Sequence, residues 1–110
     1  MARGDVLLVG LPPSDKREQS GRRPVVAVQT DVEGEPMLIV APVTSNLRAL
    51  RFQHSIKIEP SEANGLTLPS VVMVFQLRSI DKNRILSKLG RLSDEDLEKV
   101  DTEIWRMLKS

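Results

Sequence analysis

The sequence predicts a small, mainly β domain: a mixed barrel of six or seven short strands with one amphipathic helix at its C-terminal end. Three observations predict it. Short apolar runs bounded by turn residues recur from residue 5 to residue 92. No crossover helix separates the early runs, which argues against a parallel βαβ sheet. Only the C-terminal stretch carries a capped pattern of helical period.

Residues 5–10 read as the first strand, followed by a polar loop over 11–22 that Pro12-Pro13 opens. The Val/Ala run at 24–29 lacks polar alternation, as a buried strand does. Residues 30–36, with Asp31, Glu33, Gly34 and Glu35, make a hairpin-like turn into a second apolar strand at 37–43. Residues 44–52 are polar and basic and read as a loop. At 54–58, Ile56 and Ile58 face one way and Ser55 and Lys57 the other, a half-exposed strand. Asn64-Gly65 sets a turn in 61–66. Residues 70–80 make one long strand or two joined by a bend, 81–84 a helical turn, and 86–92 a final short strand.

The helix runs over 93–108. Ser93 is its N-cap, with Asp96 three residues on. Asp94, Glu95 and Asp96 lie at the positive end of the helix dipole, Arg106 and Lys109 at the negative end. Leu97, Val100, Ile104 and Leu108 form an apolar stripe that covers the barrel or a partner subunit. Phe75 and Trp105 read as core or interface residues.

With 110 residues, one domain over 1–110 is expected. Aromatics are 3%, so the core must be Val, Leu, Ile and Met. A net charge of +1 means that any nucleic-acid binding comes from a local patch, not a basic coat. The chain has no Cys, hence no disulfide, thiolate metal site or Cys nucleophile, which fits a cytoplasmic setting. The apolar runs at 6–11, 37–43 and 71–75 are too short for a signal-peptide core or a membrane span.

Most catalytic constellations are missing. His54 is the single His, so no two-His metal set exists in one chain. The acidic residues at 31–35 and 94–103 lack the spacing of a calcium loop. Neither a Gly-rich phosphate loop nor a GxSxG elbow is present. His54 has a side chain suited to proton transfer but no visible partner, and also fits a surface polar role.

What remains is Arg22-Arg23-Pro24 at the mouth of the 24–29 strand and Thr44-Ser45-Asn46 at the end of the 37–43 strand. Pro24 holds its own φ near −65° and biases Arg23 toward extended backbone. If the two strands form a hairpin through 30–36, Arg23 and Thr44 fall at the same end of the sheet. A guanidinium grips phosphate, and a hydroxyl beside it can stabilise charge on a pentavalent phosphorus. Glu18, Gln19, Arg48 and Arg51 would converge from the flanking loops. The same residues also fit a plain surface Arg and a strand-ending Thr.

These segments resemble a known family. Gly4-Asp5-Val6, Glu18 through Val26 and Pro42-Val43-Thr44-Ser45 match the MazF/PemK-type toxins of bacterial toxin–antitoxin systems. Gly65-Leu66, Ser70-Val71-Val72, Gln76 through Asp81 and Lys88 through Leu92 match in order, over nearly the whole chain.

The resemblance implies an SH3-like small barrel, a fold shared with the CcdB toxins, with a C-terminal helix and a homodimeric state. It implies a metal-independent endoribonuclease with no cofactor, which cuts single-stranded RNA, chiefly mRNA, at short motifs. Attack by the ribose 2′-OH would leave 2′,3′-cyclic phosphate and 5′-OH ends. The family's catalytic Arg falls on Arg23, its Thr on Thr44, its first-loop acid on Glu18 and its late-strand Gln on Gln76. A MazE-like antitoxin with an acidic segment is implied as partner, and no membrane.

A guanidinium keeps its proton near neutrality, so Arg23 suits charge stabilisation better than proton transfer. Glu18 is a candidate base. Arg17, Arg22, Arg48 and Arg51 would supply a basic rim, and Gln19, Ser45 and Asn46 further polar contacts to RNA. Phe52, the one loop aromatic, either stacks on a base or packs under its loop. Two other classes share the barrel: a CcdB-like gyrase-binding toxin and a non-catalytic RNA- or protein-binding module. The CcdB toxins carry their interaction on a short Trp-containing tail, whereas Trp105 lies inside the helix pattern, and a binding module has no need of both Arg23 and Thr44.

Overall fold

The computed structural model describes residues 1–10 and 21–109. Seven strands are laid out in chain order. They are β1 (Asp5–Gly10), β2 (Arg22–Ala27), β3 (Met37–Thr44), β4 (Ser55–Ile58), β5 (Ser70–Met73), β6 (Arg78–Asp81) and β7 (Ile85–Arg91). Helix α1 (Asp94–Lys109) follows. Every strand pairing is antiparallel, in the order β4-β5-β3-β2-β1-β7, with β6 also on β3.

The expected barrel is therefore an open antiparallel sheet. Among the described residues β4 and β7, at its two ends, do not pair. Instead the turn after β4 bridges the gap. The Arg91 N–H donates to the Ala63 carbonyl at 2.8 Å. Gly65 has φ +73°, and a Cβ there or at Gly90 would lie 2.2 Å from a carbonyl oxygen of the opposite segment. Only two glycines let the backbones approach this closely. The Asn64 side chain locks the same turn, accepting from the Ser61 and Leu66 N–H groups and donating to the Glu59 carbonyl.

The alternative left open over 70–80 resolves as two strands joined by a bend. β5 and β6 lie end to end along one edge of β3. From Val43↔Val72 to Val40↔Arg78, β3 advances three residues and its partner six. The three extra residues are the 3-10 turn Val74–Gln76. A second 3-10 turn, Leu47–Arg51, occupies the expected 44–52 loop, and a third spans Lys82–Arg84.

Two apolar clusters explain the unbroken hydrophobic runs. Val6, Val26, Ala41 and Val43 face α1, together with Ile56, Ile58, Val72, Val74, Leu97 and Val100. Leu7, Val9, Val25, Ala27, Leu38 and Val40 face the other way, with Ile80 and Ile85 against them. The middle of β1 to β3 is thus buried on both sides, where alternation of polar and apolar residues would leave polar groups without water.

Ser93 caps α1 as expected, its Oγ accepting the Asp96 N–H at 3.1 Å. The buried stripe differs at its last position. Leu97, Val100, Ile104 and Met107 pack on the sheet, whereas Leu108 is 70% exposed. The step from Val100 through Ile104 to Met107 follows 3.6 residues per turn more closely than a second step of four. Trp105 is 63% exposed with the Lys109 ammonium over its ring, so it lies outside the core.

Candidate active site

β2 and β3 form the expected hairpin. Its register pairs Val25 with Pro42, Val26 with Ala41 and Ala27 with Val40. Carried two residues on, the same register sets Arg23 opposite Thr44. Both side chains line one cleft of about 390 Å³. Three segments line it: Gly21 to Pro24, Val43 to Ser45, and a third wall made by Leu66, Thr67, Leu68 and Ser70.

The position of Arg23 follows from local rules. Pro24 has no N–H to give a ladder, and the β2–β3 pairing stops at the buried Val25, while Arg22 and Arg23 stay paired with Gly10 and Val9 of β1 and remain exposed at the strand mouth. Thr44 ends β3 for a complementary reason. Its Oγ1 accepts the Asn46 N–H at 3.1 Å, and the Asn46 Oδ1 accepts the Arg48 N–H at 3.0 Å. These side-chain bonds replace the ladder and start the 3-10 turn. Because Oγ1 accepts from Asn46, the Thr44 hydroxyl hydrogen remains available to another acceptor.

The structure brings Arg22, Arg23, Thr44 and Ser45 together at the cleft. Asn46 adjoins it through its bond to Thr44. Arg48, Arg51 and Phe52 stand along and after the next 3-10 turn, and do not line the cleft. Phe52 is 46% exposed and tilted against Phe75 with ring centroids 5.0 Å apart, while the Arg51 guanidinium lies 4.9 Å from its centroid. Both alternatives for Phe52 thus have a physical basis: its ring packs within the protein and still shows surface. Gln76 is exposed on the 3-10 turn between β5 and β6, away from the cleft lining. Arg17, Glu18 and Gln19 lie outside the described residues.

His54 does not line the cleft. Its Nδ1–H donates to Glu103 Oε1 of α1 at 3.1 Å. The wall at 66–68 escaped sequence reasoning. Its signal was the Asn64-Gly65 turn, whose close approach to β7 fixes where the following residues run. Among the described residues, no group of three or more His, Asp or Glu could hold a metal ion. No helix among them is long and apolar enough to cross a membrane.

Comparison with known proteins gives the family and the fold. The family model described as "PemK-like, MazF-like toxin of type II toxin-antitoxin system" matches residues 2–108. The Endoribonuclease MazF of Staphylococcus saprophyticus is 39% identical over 106 residues, covering 94% of this chain and 88% of that protein. A MazE–MazF crystal structure from Deinococcus radiodurans shares the fold with a TM-score of 0.79 at 23% identity, over 99% of this chain and 96% of that one. A mycobacterial endoribonuclease solved with its cognate antitoxin does so with a TM-score of 0.77 at 17% identity, over 99% and 95%. The chain belongs to the PemK-like, MazF-like toxins of type II toxin–antitoxin systems.

Proposed function

We propose that this toxin is an endoribonuclease that cleaves single-stranded RNA, mRNA above all, at short sequence motifs. The observation that carries the proposal is the meeting of Arg23 and Thr44 in one cleft at the end of the β2–β3 hairpin. A relative 39% identical bears the endoribonuclease name. In the reaction the ribose 2′-oxygen attacks the adjacent phosphorus and the bond to the 5′-oxygen breaks. The products are a 2′,3′-cyclic phosphate and a 5′-OH. Arg23 binds the phosphate and balances the charge that grows on its non-bridging oxygens. Thr44 donates its hydroxyl hydrogen to one of them. Glu18 takes the 2′-OH proton, and the leaving 5′-oxygen is protonated in turn.

Arg17, Arg22, Arg48 and Arg51 hold the backbone on either side, and Gln19, Ser45, Asn46 and Gln76 hydrogen-bond to bases or sugars. The protein works in the cytoplasm as a homodimer. A MazE-like antitoxin inhibits it by laying an acidic segment over the same cationic groups. An antitoxin partner is supported by the neighbouring Deinococcus structure, which is a MazE–MazF crystal structure.

Purified protein incubated with single-stranded RNA in excess EDTA tests the chemistry. Cleavage with cyclic-phosphate ends is expected, and loss of activity in EDTA would sink the metal-free route. Arg23→Ala should fold and leave the RNA intact. Full cleavage by that variant would refute the site. RNA left untouched while gyrase is trapped on DNA would replace the proposal with the CcdB-like one.

A further inference from the structure

We infer that His54 and Glu103 form a positioning pair that ties α1 to the Arg51–Phe52–Phe75 stack, and that this stack is a platform for an RNA base flanking the cleaved phosphate. The inference rests on the RNA-cleaving function proposed above and adds residues that function does not use.

His54 is the one non-glycine among the described residues with a positive φ, at +62°. A residue with a Cβ disfavours this left-handed conformation, so something must hold it there. Two contacts do. Its Nδ1–H donates to Glu103 Oε1 at 3.1 Å, and its carbonyl accepts the Phe75 N–H at 3.2 Å. Glu103 is four-fifths buried, and its second oxygen accepts from Arg106 Nη1 at 3.0 Å. The carboxylate is therefore pinned from outside while it pins the imidazole.

Past His54 the contacts continue through Phe75 to Phe52 and Arg51. Phe75 tilts against Phe52 at 5.0 Å, and the Arg51 guanidinium covers Phe52 at 4.9 Å. Arg106, Glu103, His54, Phe75, Phe52 and Arg51 thus form a continuous path from the outer surface of α1 to the end of the 3-10 turn that starts beside Thr44. A half-exposed ring next to an arginine is the pair that single-stranded nucleic acid stacks upon. The bend at His54 sets the angle at which that pair is offered, and α1 holds the bend.

The experiment measures steady-state cleavage of a short single-stranded RNA by Phe52→Ala, Glu103→Ala, Glu103→Gln, His54→Gly and the double variant Phe52→Ala/Glu103→Ala. Glycine at 54 removes the ring without adding backbone strain, and Glu103→Gln keeps the shape of the mostly buried Glu103 side chain, so each serves as the control for folding. Circular dichroism checks it. Phe52→Ala should raise KM about tenfold with kcat little changed. Glu103→Ala and His54→Gly should raise KM by about 3- to 30-fold. Glu103→Gln, which keeps an acceptor for the Nδ1–H, should restore most of the loss. In the Phe52→Ala background, Glu103→Ala should add almost nothing.

An equal loss in both backgrounds would overturn the coupling, because the pair would then act elsewhere. A fall in kcat rather than a rise in KM would do the same. Should Phe52→Ala leave KM unchanged while Arg23→Ala is inactive, the platform fails and the ribonuclease assignment stands. Should wild type leave RNA intact, the ribonuclease assignment itself fails, and this inference with it.

Discussion

The two ends of the β2–β3 hairpin contrast in chemistry. At the open end, Arg23 and Thr44 face a cleft, and Thr44 Oγ1 is bonded so that its hydrogen stays available. At the turn end the polar groups are tied to one another. Lys82 bonds Asp31 and also donates to the Val32 carbonyl at 2.9 Å, and the Gln29 Oε1 accepts the Ile39 N–H at 2.8 Å. The Lys82 backbone N–H donates to the Pro36 carbonyl, and the Asp31 N–H to that of Met1. One pair of strands thus carries a cleft at one end, where the Thr44 hydroxyl hydrogen stays available, and polar groups closed on one another at the other. A polar group satisfied inside the protein contributes to folding, whereas one satisfied by substrate contributes to turnover.

The sharpest break of this contrast would come at Thr44. Thr44→Val keeps the branched shape and the strand preference but removes the hydroxyl. Single-turnover cleavage should slow about 10²- to 10³-fold, with a stability loss of only about 1 kcal/mol from the lost acceptor for the Asn46 N–H. A large fall in stability with a small fall in rate would make the open end structural after all.

Gly65→Ala tests the third wall, where both kinds of effect should appear together. A Cβ there would lie 2.2 Å from the Leu89 carbonyl oxygen at a φ of +73°. Chemical denaturation should show a loss of roughly 2–4 kcal/mol. Residual cleavage should fall as well, because residues 66–68 line the cleft. Retained stability would mean that the turn and β7 separate at little cost.

The smallest effect belongs to the turn end. The bond from Lys82 holds the Asp31 carboxyl below the usual carboxylate range, against some opposing burial. Since the folded form binds that proton less readily than the unfolded chain, the carboxylate stabilises the fold above the ordinary carboxylate pKa. The contribution fades as pH falls through the depressed value. Asp31→Asn should therefore melt slightly lower than wild type at pH 7, and the two curves should converge once the pH falls below the depressed value. RNA cleavage at pH 7 should not change. A gap that widens in acid would reverse the sign and remove Asp31 from the account.

Much of this was legible in the chain. Pro24 after Arg23, the acidic Gly-containing turn at 30–36 and Thr44 after an apolar run suffice to put a cation and a hydroxyl at one sheet end. Each is a local rule of φ, turn chemistry or hydrophobic run length. The helix was legible too, because Ser93, Asp96 and the spacing of Leu97 and Val100 act within a few residues of one another. Leu108 and Trp105 were not, since which side of a helix's last turn meets the sheet depends on where the sheet stops.

The sequence alone therefore determined the strand run, the helix, and the pair Arg23 and Thr44 at a hairpin mouth, because these follow from short-range sterics and burial. Tertiary structure decided what long-range packing decides: that the sheet stays open and is bridged by Gly65 against Gly90, that residues 66–68 wall the cleft, and that His54 turns from solvent to Glu103. None of these is decided by a local signal alone, the Asn64-Gly65 turn included. Each depends on two segments, distant in sequence, approaching closely enough for a missing Cβ or a single carboxylate to matter.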